Sequence, residues 1–179
     1  MSNEIPKKTD SQKLPLIQTE VEYDGQNYLY TWIPETDYQQ MQPCDYVSAV
    51  VFNDEGQILV MLEKGQYRIP GGGPEAADKD PMRTILREVQ DEVDVVMGGR
   101  IQLIGGFRVQ NLTGPSKPPF YHLVYYGEAC SFLPRKASIE ENEIFDYHFV
   151  PATELNSTIG WKETGAAMLQ AALKVRSQI

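Results

Sequence analysis

Two hydrophobic periods alternate along this chain. TEVEYDGQNYLYTWIP holds two runs rich in β-formers around Asp24-Gly25, a strong short-range hairpin signal. A second hairpin is predicted from Tyr46 to Phe52 and Gln57 to Leu62, joined by Asn53-Asp54-Glu55-Gly56. Its runs SAVVF and ILVML are nearly continuous in apolar residues, the pattern of strands covered on both faces. YRIPGGGPEAADKDP then reads as a short strand running into a glycine-rich loop. From Pro81 to about Val95 the period becomes helical, with Met82, Ile85, Leu86, Val89 and Val93 recurring every three or four residues. Asp80 fits the N-cap, Pro81 the first helical position, and Gly98-Gly99 the stop. RIQLIGGFRVQNL, broken at Gly105-Gly106, FYHLVYYGEA and IFDYHFVP predict further strands, and WKETGAAMLQAALKVRS a closing helix. Strands flanked by one central and one terminal helix predict an α/β sandwich around a mixed sheet.

Three segments follow from this pattern. Residues 1–16 are polar and read as a mobile tail. Residues 17–43 form a hairpin extension and a linker bracketed by Pro34 and Pro43. Residues 44–179 form the main domain.

Composition narrows the function classes. Hydrophobic residues make up 41% of 179, which excludes a wholly disordered chain. No apolar run approaches the ~20 residues that span a bilayer. MSNEIPKKTDSQKLP has no apolar core of a secretory signal, so a cytoplasmic location is expected. Cys44 and Cys130 lie too far apart in sequence for a metal-ligand spacing and are expected to be buried or half-buried thiols. The formal charge of −9 makes a general nucleic-acid or membrane binder a poor reading. A phosphate ligand would therefore need a bound cation, or a local group of arginines and lysines.

The candidate chemistry sits on the central helix. At about 100° per residue, its apolar positions fall on one face and Glu88, Asp91 and Glu92 on another, with Arg87 on the flank. Like charges at i, i+3 and i, i+4 cost an isolated helix a few tenths of a kcal/mol per pair. Two readings stay open on the helix alone: a solvated acidic face, or hard oxygen ligands for a divalent cation such as Mg²⁺. Ile69-Pro70-Gly71-Gly72-Gly73 just before the helix is either a tight turn or a backbone cradle for an anion. The spacing is neither that of a Walker loop nor that of a dinucleotide-binding fingerprint.

Taken together, GGGPEAADKDPMRTILREVQDEVDVV resembles the signature of the Nudix hydrolase family, G-x5-E-x7-R-E-U-x-E-E-x-G-U with U aliphatic. Gly72 and Gly73 resemble its leading glycines, and Arg87-Glu88-Val89 match R-E-U. Glu92 matches the second glutamate of the pair and Val95 the last aliphatic. Asp91 stands for the first glutamate and Asp94 for the glycine. Lys79 stands where the upstream glutamate belongs; Asp78 fits if the loop carries one extra residue.

The resemblance implies a Nudix-like α/β/α sandwich around a mixed β-sheet over roughly residues 44–176, with the N-terminal hairpin as an extension. It implies hydrolysis of a nucleoside diphosphate linked to another moiety, with Mg²⁺ as cofactor and Mn²⁺ as a substitute. Glu88 and Glu92 are then the main metal ligands, with Asp91 a third. Arg87 orients Glu88 or holds a phosphate, Gly72 and Gly73 shape the pocket, and Glu141 in the SIEENE loop is the candidate base. The missing upstream glutamate would have steadied the arginine. Arg108 and Lys117 are candidate phosphate contacts.

His122 and His148 are read as structural or as ligand contacts, and Tyr121, Tyr125, Tyr126 and Phe107 as core or as stacking partners for a base. Trp32 and Trp161 are read as packing anchors. The aromatic hairpin must pack on its own domain or on a partner, so a homodimer is also expected. Two rival readings remain: a nucleotide-binding domain without turnover, and an unrelated interaction domain with a merely solvated acidic helix.

Overall fold

The computed structural model describes residues 16–114, 118–134 and 145–179. Its first strands, β1 (Gln18–Tyr23) and β2 (Gln26–Pro34), form the predicted hairpin. Asp24 and Gly25 both adopt positive φ, 52° and 72°, as a two-residue turn between twisted strands requires. A 3₁₀ segment, Glu35–Met41, occupies the predicted linker. There follow β3 (Tyr46–Phe52), β4 (Gln57–Glu63), β5 (Gln66–Arg68), β6 (Gly71–Gly72) and helix α1 (Pro81–Val93). Next come β7 (Val95–Asn111), β8 (Phe120–Phe132), β9 (Asp146–Pro151), the short α2 (Leu155–Ile159) and α3 (Lys162–Arg176).

Among the described residues these strands make one mixed sheet ordered β1-β2-β7-β8-β3-β4-β5, with β6 added beside β3 and β9 beside β4. β3 runs parallel to β8, and the other pairings are antiparallel. Helix α1 covers one face and α2 with α3 the other, giving the α/β/α layering. Ile85, Val89 and Val93 of α1 are fully buried against Val47, Ala49, Val51, Leu59 and Met61. Burying each such side chain stabilises the fold by about 1.5–3 kcal/mol. Phe52, Ile58, Val60, Phe107 and Tyr126 form the opposite core with Leu155, Met168 and Ala172.

Several sequence expectations change. The second hairpin is barely a hairpin, since β3 and β4 pair only at Phe52 and Ile58 and then part. Each finds other neighbours, β3 taking β8 and β6 and β4 taking β9 and β5. Helix α1 ends at Asp94, not at Gly98-Gly99. Asp94 takes the left-handed conformation (φ 53°, ψ 27°), and its backbone N–H donates to the Gln90 carbonyl. A short polar residue tolerates that conformation better than most, and the two glycines lie inside β7. Gly105-Gly106 do not break β7 either; the strand passes through them with a register shift. Met82 leaves the predicted apolar face and is exposed, as is Cys130.

The hairpin belongs to the main sheet. β2 pairs with β7 over seven residue pairs, Tyr28↔Asn111 through Pro34↔Gly105. Its aromatic residues pack within the chain: the Tyr30 ring lies 5.4 Å from Phe107 and 5.5 Å from Trp161, and Trp32 lies 5.1 Å from Phe107. Tyr28, Tyr30 and Trp32 of the hairpin thus pack, partly buried, against their own core. The sheet also curls until its two ends meet. Tyr23 Oη donates to Glu63 Oε2 at 2.6 Å, and Lys64 Nζ pairs with Asp24 Oδ2 at 2.7 Å. No helix among the described residues is long and apolar enough to cross a membrane.

Helix α1 supports one direct test. The Asp80 carboxylate accepts the Arg83 N–H at 2.9 Å as its N-cap. Asp80→Ala is expected to cost about 1 kcal/mol in urea denaturation. An unchanged midpoint would mean that the cap contributes nothing.

Candidate active site

The parting of β3 and β4 opens a notch, and the glycine loop fills it. β5 stays on β4, with Arg68 opposite Met61. β6 crosses to β3, with Gly71 opposite Ser48 and Gly72 opposite Val47. The Ala49 N–H fixes the crossing by donating to the Pro70 carbonyl at 3.1 Å. Glycine is required here for space. A Cβ on Gly71 would overlap the Val47 carbonyl, and a Cβ on Gly72 would overlap the Glu88 carboxylate. Gly73 has no such neighbour closer than 3.7 Å.

Glu88 and Glu92, one helical turn apart, both reach this corner. Glu92 Oε2 accepts the Gly71 N–H at 2.9 Å, and its Oε1 accepts from Arg68 Nη2 at 3.1 Å. The Glu92 side chain is only 12% exposed. Burial pushes its carboxyl up to about 7, against the pull of Arg68 and the Gly71 amide. Burial likewise raises Glu88, opposed by Arg87. A carboxylate buried this way is stabilised by a cation.

Arg87 is tied down on several sides. Its Nη2 donates to Asp78 Oδ2 at 2.9 Å and to the Gly73 carbonyl at 3.2 Å, and its Nε donates to Asp78 Oδ1 at 3.3 Å. Its Nη1 lies 3.0 Å from Glu88 and 3.2 Å from Glu75. The forked hydrogen bond from Arg87 holds the Asp78 carboxyl well below the usual range. Asp78, 7% exposed, therefore steadies the arginine, and the loop's extra residue moves Lys79 out of that position.

The predicted metal ligands come together only in part. Glu88 and Glu92 flank Gly71-Gly72, and Asp91 lies one turn from Glu88 on a half-buried stretch of α1. Among the described residues no ready-made cage of three ligating side chains is present. The donor set nevertheless suits a hard divalent cation: carboxylate oxygens on one rigid helix, beside a backbone whose missing Cβ leaves room for Glu88. Glu141 and Lys117 lie outside the described residues. Arg108 lies outside the cleft: the buried Phe107 and Val109 beside it belong to the α3-side core, which places Arg108 on the other face of β7.

A cleft of about 1050 Å³ runs from this corner into the curl of the sheet. Tyr23, Tyr28, Tyr30, Tyr46, Phe120 and Trp161 supply its aromatic surface. Ser48 and His122 lie on its floor, with Ser48 Oγ 2.7 Å from His122 Nε2. Burial lowers His122 to about 3, so the ring is neutral. The stacking candidates Phe107, Tyr125 and Tyr126 are core residues and do not line the cleft. Tyr121 does not line it either, and His148 packs edge-on against Tyr67 on the surface, 5.0 Å between ring centres. Sequence reasoning missed Arg68, Tyr46 and Glu63. The only available signal was that Arg68 immediately precedes Ile69-Pro70-Gly71.

Two outcomes test this geometry. Asp78→Asn should lower Tm by roughly 2–4 °C, while Lys79→Ala should leave it unchanged; equal effects would remove Asp78 from its assigned place. In metal-free buffer, Glu92 holds a proton in the folded chain that the unfolded chain releases above about 4.5. Its stabilising contribution is therefore full below that pH and lost as pH rises through about 7. Stability relative to Glu92→Gln, in which His122 is unchanged, should fall by about 2 kcal/mol between pH 5 and pH 8. A pH-independent difference would contradict the burial of this carboxyl.

Comparison with known proteins agrees with the geometry. The family model of the NUDIX domain matches residues 43–171. Solved structures of the same fold include a NUDIX hydrolase from Nitrosomonas europaea, 16% identical over 76% of this chain and 90% of that one, with a TM-score of 0.55. A mutant of the Bacillus subtilis pyrophosphohydrolase BsRppH is 15% identical over 89% and 97%, with a TM-score of 0.59. A UDP-X diphosphatase is 18% identical over 79% and 71%, with a TM-score of 0.53. A search of curated protein sequences gives no match. With its glycine corner, its paired glutamates and a family match over most of its length, this chain belongs to the Nudix hydrolase family.

Proposed function

We propose that this Nudix hydrolase cleaves the phosphoanhydride of a nucleoside diphosphate joined to an uncharged moiety, such as a nucleotide sugar or an ADP-ribose-like compound. One observation carries the reading: an aromatic cleft of about 1050 Å³ ends on the corner formed by Gly71, Gly72 and Glu92. Aromatic rings suit a base and a sugar, and the carboxylate corner suits a cation-neutralised pyrophosphate. Glu20, Glu22 and Glu63 also line the cleft, and its basic side chains are Arg68 and Lys162. Arg68 is already engaged by Glu63 and Glu92. Further phosphates on the substrate would meet this acidic wall, whereas sugar hydroxyls can donate to it.

Mg²⁺, or Mn²⁺ in its place, supplies charge neutralisation and a more acidic water when bound. Glu88 and Glu92 are the ligands we assign, with Asp91 as the third. Arg87, held by Asp78, fixes the Glu88 carboxylate. The Gly71 N–H fixes Glu92. Glu141 remains our proposal for the base. In its favour, the described residues flanking its loop are pinned beside Glu92: the Phe145 N–H donates to the Glu92 carbonyl at 3.1 Å and the Leu133 N–H to the Asp94 carbonyl at 2.8 Å. The reading of a domain without turnover drew partly on Lys79, and the Asp78–Arg87 pair removes that ground. We place the activity in the cytoplasm and keep a homodimer through the N-terminal hairpin as part of the proposal, which gel filtration at the 20.3 kDa of a monomer would remove.

The test is phosphate release, coupled to a phosphatase, with Mg²⁺. Nucleotide sugars and ADP-ribose should be turned over at least about tenfold more efficiently than dinucleoside polyphosphates or nucleoside triphosphates. Glu92→Gln should lower kcat by about a hundredfold or more. A preference for the polyphosphates would overturn the uncharged moiety. Full activity in the variant would overturn the metal assignment.

A further inference from the structure

Among the described residues Arg68 is the cleft's one arginine, and none of the family signature's positions falls on it. Each of its three guanidinium nitrogens faces a different partner. Nε lies 2.8 Å from Glu63 Oε2 as an ion pair without hydrogen-bond geometry, Nη1 donates to Tyr46 Oη at 2.8 Å, and Nη2 donates to Glu92 Oε1 at 3.1 Å. The Phe145 ring lies 5.9 Å from the guanidinium carbon. The Arg68 side chain is 19% exposed, and those of Glu63 and Glu92 are 12% exposed. Each partner is itself anchored. Tyr46 Oη donates to the Gly71 carbonyl, and Tyr23 Oη donates to Glu63 Oε2 at 2.6 Å.

Tyr23 is the last residue of β1, at the hairpin tip, so a chain of contacts runs from the extension to the candidate ligand: Tyr23, Glu63, Arg68, Glu92. We infer that this chain positions the Glu92 carboxylate for its cation, which makes the N-terminal hairpin part of the active-site machinery. The inference rests on the metal reading given above. Its physical basis is the geometry of the fork. A carboxylate offers about four acceptor directions. Arg68 and the Gly71 N–H take one on each oxygen of Glu92, which fixes the plane of the group and leaves the other directions for a cation. Held by hydrogen bonds to Tyr46 and Glu92 and by the ion pair with Glu63, Arg68 acts through Glu92. Groups that orient a metal ligand in this way are typically worth 10–100-fold in metal affinity or activity.

Two charge-preserving variants separate positioning from electrostatics. Arg68→Lys keeps the cation and loses the fork. Tyr23→Phe removes one hydroxyl that touches neither Glu92 nor its ligand directions. Mn²⁺ affinity of the substrate-free protein, followed by electron paramagnetic resonance, is measured beside kcat and KM on the best substrate. Arg68→Lys should weaken Mn²⁺ binding and lower kcat by about tenfold or more, with KM nearly unchanged. Tyr23→Phe should move both in the same direction by a smaller factor. In a cycle with Glu63→Gln, the double variant should lose less than the product of the single losses.

A raised KM with kcat and Mn²⁺ affinity intact would overturn the inference in favour of a phosphate contact. A Tyr23→Phe protein identical to wild type would overturn the part given to the hairpin, even if Arg68→Lys fails to fold. Wild type that binds Mn²⁺ but hydrolyses none of the substrates would defeat the proposed function alone, and the Mn²⁺ affinities would still decide the positioning role. Wild type that binds no Mn²⁺ would overturn both.

Discussion

A carboxylate taken out of water must be held by donors, and Glu92 is where this chain meets that demand. Leaving it buried and unpaired would cost several kcal/mol. The Gly71 N–H and one Arg68 N–H offset part of that cost, yet burial still pushes the carboxyl up to about 7. Much of the local architecture follows. The glycines must lie where a Cβ would overlap Val47 or Glu88. Arg68, on β5, must stay beside β4 while Gly71 crosses to β3, so the two central strands have to part after a single residue pair.

That parting is compatible with a stable core because each strand finds a second neighbour. β3 gains β8 in parallel and β4 gains β9, so the apolar runs stay buried on both faces. The same sheet curls until Tyr23 and Asp24 meet Glu63 and Lys64. The exposed Lys64–Asp24 pair contributes little to stability. The better-buried Tyr23–Glu63 contact joins the hairpin to the corner of glycines and carboxylates. Tyr23, Tyr28 and Tyr30 of the hairpin are therefore also a wall of the chain's own cleft.

Charge gives the fold its division of labour. With a net charge of −9, long-range attraction does not draw a phosphate compound toward this molecule. Positive charge is instead concentrated where it is used: Arg87 is saturated by Asp78, Glu75 and Glu88, and Arg68 by Glu63 and Glu92. Both arginines organise carboxylates, which in the proposed function hold the cation.

The local sequence determined what depends on short-range physics. The Asp24-Gly25 turn, the capped helix at Pro81 and the separation of its apolar and acidic faces all follow from φ preferences, capping and period. So do the apolar strands β3 and β4. The family signature could be read for the same reason, since its residues lie within one strand, loop and helix. Tertiary structure decided the rest. Arg68 and Glu63 carry no pattern of their own, because their meaning lies in which strands the chain brings beside Glu92. Phe107, Tyr125 and Tyr126 were read as able to stack on a base, yet they lie in the core, while Tyr28, Tyr30 and Tyr46 line the cleft. Aromatic strands read alike whether a ring faces the core or a cleft, and only the curl of the sheet assigns each ring to one or the other.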